Sequence, residues 1–384
     1  MKKLAIIVFI FGAAGFSLHA QLLQGIGIGG WARYVIAPIG GSGTFGEKFT
    51  DENMYARNQS NQNWLFPTRG KAGLAAWGNS DYVGFNFDFG YIDGSLMVGD
   101  QAKLWVQPHH TLMLHFGRIE GNKLRSGIIG GRLTYTEEEN DIFTRFTTTH
   151  GMLIDYEPIE NLYIGASINA PSGSTPNRWK TMYSWEADRN NYQIGAGYKF
   201  DFGHLRAQLL ANDGGVWSGK PIQVAFAYTE IYNLIAEVGG LYPLKELDNN
   251  KNSPAKATVA AAYKIEQWDL MGRFTLVGYP QNSKAGTRVK IGSVVKYTVN
   301  FPLYLGAELA YLSDYQEGYF TQQADLRPPV SGSSGADLFQ ICPFAGFKYS
   351  KGDFRIGFHW EQNFRGDRPG FKFELPLFLE VNFL

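Results

Sequence analysis

Residues able to do chemistry are scattered along the 384-residue chain, and one group is dense. Between positions 122 and 146 lie Glu137, Glu138, Glu139 and Asp141, with Arg125, Arg132 and Arg145 flanking them. Opposed charges facing each other across a narrow passage set a transverse field that orients solutes. The histidines His109, His110 and His115 have no carboxylate at ligand spacing beside them, and Cys342 is the only cysteine. A thiolate metal site needs more, and an intramolecular disulfide needs a pair. Serine, histidine and aspartate occur without a nucleophile elbow. Gly25, Gly27 and Gly30 spell G-x-G-x-x-G, but a dinucleotide site needs a strand before those glycines and a helix after them. Here the run Trp31–Ile36 reads as strand. The expectation is therefore no enzyme, no cofactor and no metal.

The elements that must position the charges are strands. At the C-terminus, Phe371, Phe373, Leu375, Leu377, Leu379, Val381 and Phe383 alternate with Lys372, Glu374, Pro376, Phe378, Glu380, Asn382 and Leu384. A period of two is the period of a β-strand. Val83, Phe85, Phe87, Phe89 and Tyr91 likewise alternate with Gly84, Asn86, Asp88 and Gly90. Five large apolar side chains on one face are an aggregation hazard in water but suit lipid.

Composition agrees with a wall between lipid and water. Glycine contributes 46 residues, well above the usual ~7%, and aromatics reach 15%. Glycine suits packed strands and tight turns, and aromatics form interfacial girdles. The formal net charge is zero, so no bulk field recruits nucleic acid. Met1–Ala20 reads as a signal peptide: Lys2 and Lys3 precede an apolar run from Leu4 to Phe16, and Ala20 offers a cleavage site before Gln21. Beyond residue 20 no apolar run approaches the ~20 residues of a membrane helix.

Hairpins follow one another through the rest of the chain. Long links fall at 38–69, 122–146, 171–186, 213–219, 243–253, 279–286, 314–338 and 363–370. Tight turns fall at 79–80, 108–110, 158–161, 201–203, 229–232, 266–268, 300–302 and 350–353, and Ile92-Asp93-Gly94 is a further short link. Long loops outside and short turns inside are the habit of outer-membrane barrels. The fold class expected is all-β: one antiparallel up-and-down transmembrane barrel, residues 21–384, of about 18 strands, with 14 or 16 also compatible.

The segment from Lys71 to Gly121, above all Gln101-Ala102-Lys103-Leu104-Trp105-Val106-Gln107-Pro108 followed by Leu112–Gly117, resembles a hairpin of treponemal outer-membrane barrel proteins. Carbohydrate- and phosphate-type porins use a similar one. The resemblance covers roughly 50 residues and implies a porin-like barrel, without implying a particular solute.

A barrel of this size has a water-filled lumen, so function depends on what lines it. The polar strand faces supply Asp88, Lys103, His115, Lys199, Arg206, Glu237, Arg273, Lys290, Lys296, Glu308, Arg355, His359 and Glu374, together with Trp105, Tyr163 and Tyr304. A Lys or Arg facing lipid at mid-membrane costs ~2–4 kcal/mol, which directs these charges inward. Both signs are present, which argues against strong ion selectivity. Aromatic faces on that wall stack on sugar rings or simply pack the strands. The loop 122–146 leaves two readings open: a solvated loop outside the wall, or, as in porin-like barrels, a segment that folds inward and narrows the passage. These features imply an outer-membrane pore for small hydrophilic solutes. Its partners would be membrane lipid and, through the last strand, the barrel-assembly machinery; a homotrimer is compatible. Two alternatives fit the same strands: a plugged barrel passing hydrophobic molecules, or an adhesive surface barrel acting through its long loops.

Overall fold

The computed structural model describes residues 25–45, 48, 50–57, 70–92, 95–125, 128–130, 133, 136, 142, 146–169, 191–211, 221–228, 233–244, 254–279, 286–300, 302–315, 336–363 and 370–383. The expected leader, 1–20, lies outside them. The described chain forms strands β1 (Gly25–Thr44), β2 (Met54–Arg57), β3 (Gly70–Asn79), β4 (Val83–Ile92), β5 (Ser95–His109), β6 (Leu112–Gly121), β7 (Phe146–Tyr156), β8 (Leu162–Asn169), β9 (Asn191–Phe200) and β10 (Gly203–Ala211). It continues with β11 (Pro221–Tyr228), β12 (Leu234–Pro243), β13 (Ala255–Ile265), β14 (Trp268–Gly278), β15 (Arg288–Asn300), β16 (Leu303–Tyr315) and β17 (Ala336–Tyr349). The last four are β18 (Gly352–Gly357), β19 (His359–Asn363), β20 (Gly370–Glu374) and β21 (Leu377–Phe383). One 3-10 turn, Asp51–Asn53, precedes β2.

Neighbours in sequence pair antiparallel from β3 through to β17. Strand β1 then closes the wall. One edge pairs with β3, Gly25 opposite Asn79 through Tyr34 opposite Gly70, and the other with β21, Gly30 opposite Phe383 through Ile36 opposite Leu377. A closed sheet leaves no unpaired edge for aggregation.

The closing region differs from the unbroken strands expected at 354–362 and 371–384. Both are interrupted: β18 and β19 share β17 as a neighbour with a break at Phe358, and β20 and β21 break at Leu375 and Pro376. Proline has no N–H for the ladder, so the pairing skips a step there. The gap is bridged by main chain: Gly357 N donates to Pro376 O at 3.0 Å and Leu375 N donates to Ile39 O at 2.8 Å. Facing this break, β1 carries one extra residue around Pro38, because Ile36 lies opposite Leu377 but Gly40 opposite Glu374. Residues 38–44, expected as loop, thus continue β1, and β2 folds back on them. With each interrupted pair taken as one course and short β2 set aside, the 21 segments make a wall close to the expected count of about 18.

Alternation sorts the side chains as a membrane requires. Leu104 is 54% exposed and Val259 52%, whereas Arg288 is 1% exposed and Lys290 0%. Apolar side chains face out and charges are enclosed, the reverse of a water-soluble barrel. Cys342 is buried in β17 against Tyr304, Phe344 and Phe378, as a small filler.

The main buried cluster sits inside the wall. Leu124, Ile129 and Ile142, from the link between β6 and β7, pack with Ile119, Phe146 and Leu153 and reach Ala225 on β11 and Ala260 on β13. A link that touches strands so far around the sheet must cross the interior.

Candidate functional site

The link leaves β6 at Gly121 and enters a recess prepared by glycines. A Cβ on Gly195 or Gly197 would press into Leu124, and one on Gly239 would stand 2.7 Å from Ile129 Cδ1. At Gly130 a Cβ would collide with the carbonyl of Ile142, so the segment doubles back on itself there. Burying a main chain requires partners for its carbonyls and amides, and charged wall residues supply them. Arg206 on β10 donates from Nη1 to Leu124 O at 3.1 Å and to Arg125 O at 2.9 Å, and its guanidinium also meets Glu237 on β12. Arg273 on β14 donates to Ile128 O at 3.0 Å. Glu308 on β16 accepts from Thr136 N at 3.1 Å. Three cross-lumen anchors, from β10, β14 and β16, therefore hold the segment across the barrel.

The sequence-derived residues fall into separate groups. Arg206, Glu237, Arg273 and Glu308 gather around the inward segment and are buried against it. Arg125 begins that segment and, with Lys123, Lys199, His204 and Arg206, borders a cavity of about 300 Å³. Glu137, Glu138, Glu139, Asp141, Arg132 and Arg145 lie outside the described residues. Lys296 and Arg355 belong to another group: the Lys296 ammonium is 4.5 Å from the Tyr304 ring centroid, Tyr304 donates to Asp353 at 2.8 Å, and Arg355 Nε pairs with Asp353 at 2.7 Å. Asp88, Lys103 and Trp105 occupy the inner face of β4 and β5, where Trp105 is opposite Gly84.

His115 has a partner that local spacing does not show: Nε2 lies 3.1 Å from Asp155 Oδ2 on β7, and Tyr163 donates to Asp155 Oδ1 at 2.6 Å. The two residues are 40 positions apart, so local spacing could not join them. Asp155 was missed although it alternates with inward Leu153; the parity of β7 was the available signal. Thr136 gave none, since its role is played by the backbone amide. Among the described residues no three His, Cys, Asp or Glu side chains are placed to hold a metal.

No protein-family model matches the chain, and no curated protein matches it. Solved structures do. It is similar to Pseudomonas aeruginosa OccD3 (OpdP), with 14% identity, a TM-score of 0.55, and 95% of this chain and 93% of that one covered. Similar, too, are Pseudomonas aeruginosa OprD (11% identity, TM-score 0.56, 96% and 98% covered) and Pseudomonas aeruginosa OpdQ (8%, 0.58, 94% and 99%). At such identities the likeness is one of fold: a closed antiparallel barrel matched over nearly the whole length of both chains.

Proposed function

We propose that this protein is an outer-membrane, porin-like channel through which small hydrophilic solutes diffuse passively. The observation that carries the reading is the link between β6 and β7, held inside the wall by Arg206, Arg273 and Glu308. A segment pinned across a barrel narrows its bore without closing it by strand packing. An apolar outer face and an enclosed polar face support a lipid-embedded wall around water. The segment is the constriction, and the acidic run Glu137–Glu139 with Asp141 sets its field against Arg125, Arg132 and Arg145. Asp88, Lys103, Trp105, His115, Arg206, Glu237, Arg273, Lys296, Glu308 and Arg355 line the path on either side. No catalytic step and no cofactor are involved.

The same reading takes 1–20 as a cleaved leader and 21–384 as a single barrel domain. Lipid and the assembly machinery are its partners, the latter through the last strand, and a homotrimer is compatible. The segment 71–121 resembles a hairpin of treponemal barrels.

Planar-bilayer recording of refolded protein starting at Gln21, in a KCl gradient, tests the reading. Discrete current steps are expected. Reversing the charges of Glu137–Glu139 should shift the reversal potential toward anions. Silence from folded, heat-modifiable protein would overturn the channel. Steps with an unmoved reversal potential would remove the acidic run from the constriction.

A further inference from the structure

We propose that the inner face of β1, β3, β4 and β5 is a sugar-binding track, on which Trp31, Trp77 and Trp105 stack against a neutral oligosaccharide. The proposal rests on the channel reading and names a solute class for it.

The three tryptophans share one construction. Trp31 on β1 lies opposite Gly73 on β3, Trp77 on β3 opposite Gly27 on β1, and Trp105 on β5 opposite Gly84 on β4. In every case the indole rests against the bare backbone of that glycine, since a Cβ there would run into its Cε2, Cζ2 and Nε1 atoms. All three lie on inward faces: Ile26, Ile28, Leu74, Val83 and Leu104, at the alternate positions, are exposed on the outside. Each ring thus has its back to the wall and little freedom to reorient. At Trp31 the Arg33 guanidinium lies over the ring, 5.1 Å from its centroid, so a sugar there meets the indole and the guanidinium together. Trp77 is 40% exposed even so, and this exposure opens into the lumen.

The register spaces the rings along the path. Gly73, opposite Trp31, and Trp77 are four residues apart on β3. Asn79, two residues further, lies opposite Gly84, which in turn lies opposite Trp105. Six residues of strand span about 20 Å. Such a length accommodates an extended chain of rings better than one small molecule.

The chemistry of the strip fits a sugar. A pyranose offers an apolar C–H face and a rim of hydroxyls, so it needs an aromatic surface flanked by a few hydrogen-bonding groups. Asn86 stands between Trp77 and Lys103 in register. Its Nδ2 donates to Gln101 Oε1 at 3.3 Å, so a pair of amide side chains stands beside the Trp77 ring. Asp88 and Lys103 contribute opposite charges on the same face, so the strip carries no one-signed field that would select a charged solute. Covering the glycines alone would need only an aliphatic side chain such as leucine, which has no aromatic face to offer.

The experiment is current block in planar bilayers by maltotriose and by cellotriose, with poly(ethylene glycol) of matched size as the bulk control. Expected is saturable, concentration-dependent block by at least one trisaccharide and none by the polymer beyond its bulk effect. The double variant Trp77→Leu/Trp105→Leu should weaken that block at least tenfold while the sugar-free conductance persists. Should that variant fail to insert, Trp105→Leu alone must weaken the block and Trp105→Tyr must restore it. Block by neither sugar, or block unchanged in the leucine variants, overturns the track but leaves the channel standing. Absence of any current overturns the channel and the track with it.

Discussion

The main-chain amide of Thr136 donates a 3.1 Å hydrogen bond to the buried carboxylate of Glu308, across 172 positions of sequence. The contact fastens the far part of the β6–β7 link to β16, opposite the side from which the link departs. A hydrogen bond to a charged acceptor is worth about 1.5–3 kcal/mol. Glu308→Ala should therefore release this end of the segment tenfold to a hundredfold more often, on the order of a decade per 1.4 kcal/mol. Single-channel recording should show a larger mean conductance and more open-channel noise, with Glu308→Gln intermediate because it keeps an acceptor oxygen. Traces identical to wild type would mean that Thr136 is not a fastening point.

Ile129 holds the same segment by packing. It is fully buried against Ala225, Ala260 and the recess at Gly239. Replacing a buried isoleucine by alanine costs about 2–5 kcal/mol in a soluble core. Here the loss should be confined to the segment, since the wall keeps its own ladder. Ile129→Ala is expected to raise protease sensitivity within 122–146 while heat-modifiability of the barrel is unchanged. Equal loss of both would show that the segment supports the wall itself.

Asp155 serves two neighbours at once, His115 and Tyr163. Asp155→Ala leaves both without that acceptor in a buried setting and should destabilise the barrel by about 1–3 kcal/mol; Tyr163→Phe, which removes a donor, should cost about 1. The double variant should cost less than the sum, because the phenol has already lost its partner. Urea unfolding in lipid vesicles measures all three. Strict additivity would dissolve the proposed network.

The outer face predicts its own asymmetry. Leu104 is exposed on the lipid side of β5, next to inward Lys103. Leu104→Lys should lower stability by up to ~2–4 kcal/mol, depending on depth, whereas Lys103→Leu should leave stability nearly intact and change conductance. The same unfolding assay, paired with bilayer recording, separates the two. A harmless lysine at 104 would contradict lipid contact there.

What was legible in the chain was legible because strand structure is written locally. Residues i and i+2 share a face, so the enclosure of Arg206, Glu237, Arg273 and Glu308 and the exposure of Leu104 follow from parity alone. Turn chemistry and link lengths gave the hairpin order for the same reason. Proline at 376 marks the break in the last strand, a signal present in the sequence but read through, whereas Pro38, expected to end a strand, only inserts one extra residue into it. The rest depended on closure. Which strand faces the inward link, and at what height, is set by register accumulated around the whole wall, so neither Thr136 with Glu308 nor His115 with Asp155 could be paired by spacing. Likewise, each tryptophan's resting place is a glycine on another strand. Sequence alone determined a barrel with a greasy outside and a polar inside; the tertiary structure decided what crosses its bore and which rings line it, because those contacts join residues that only the closed sheet brings together.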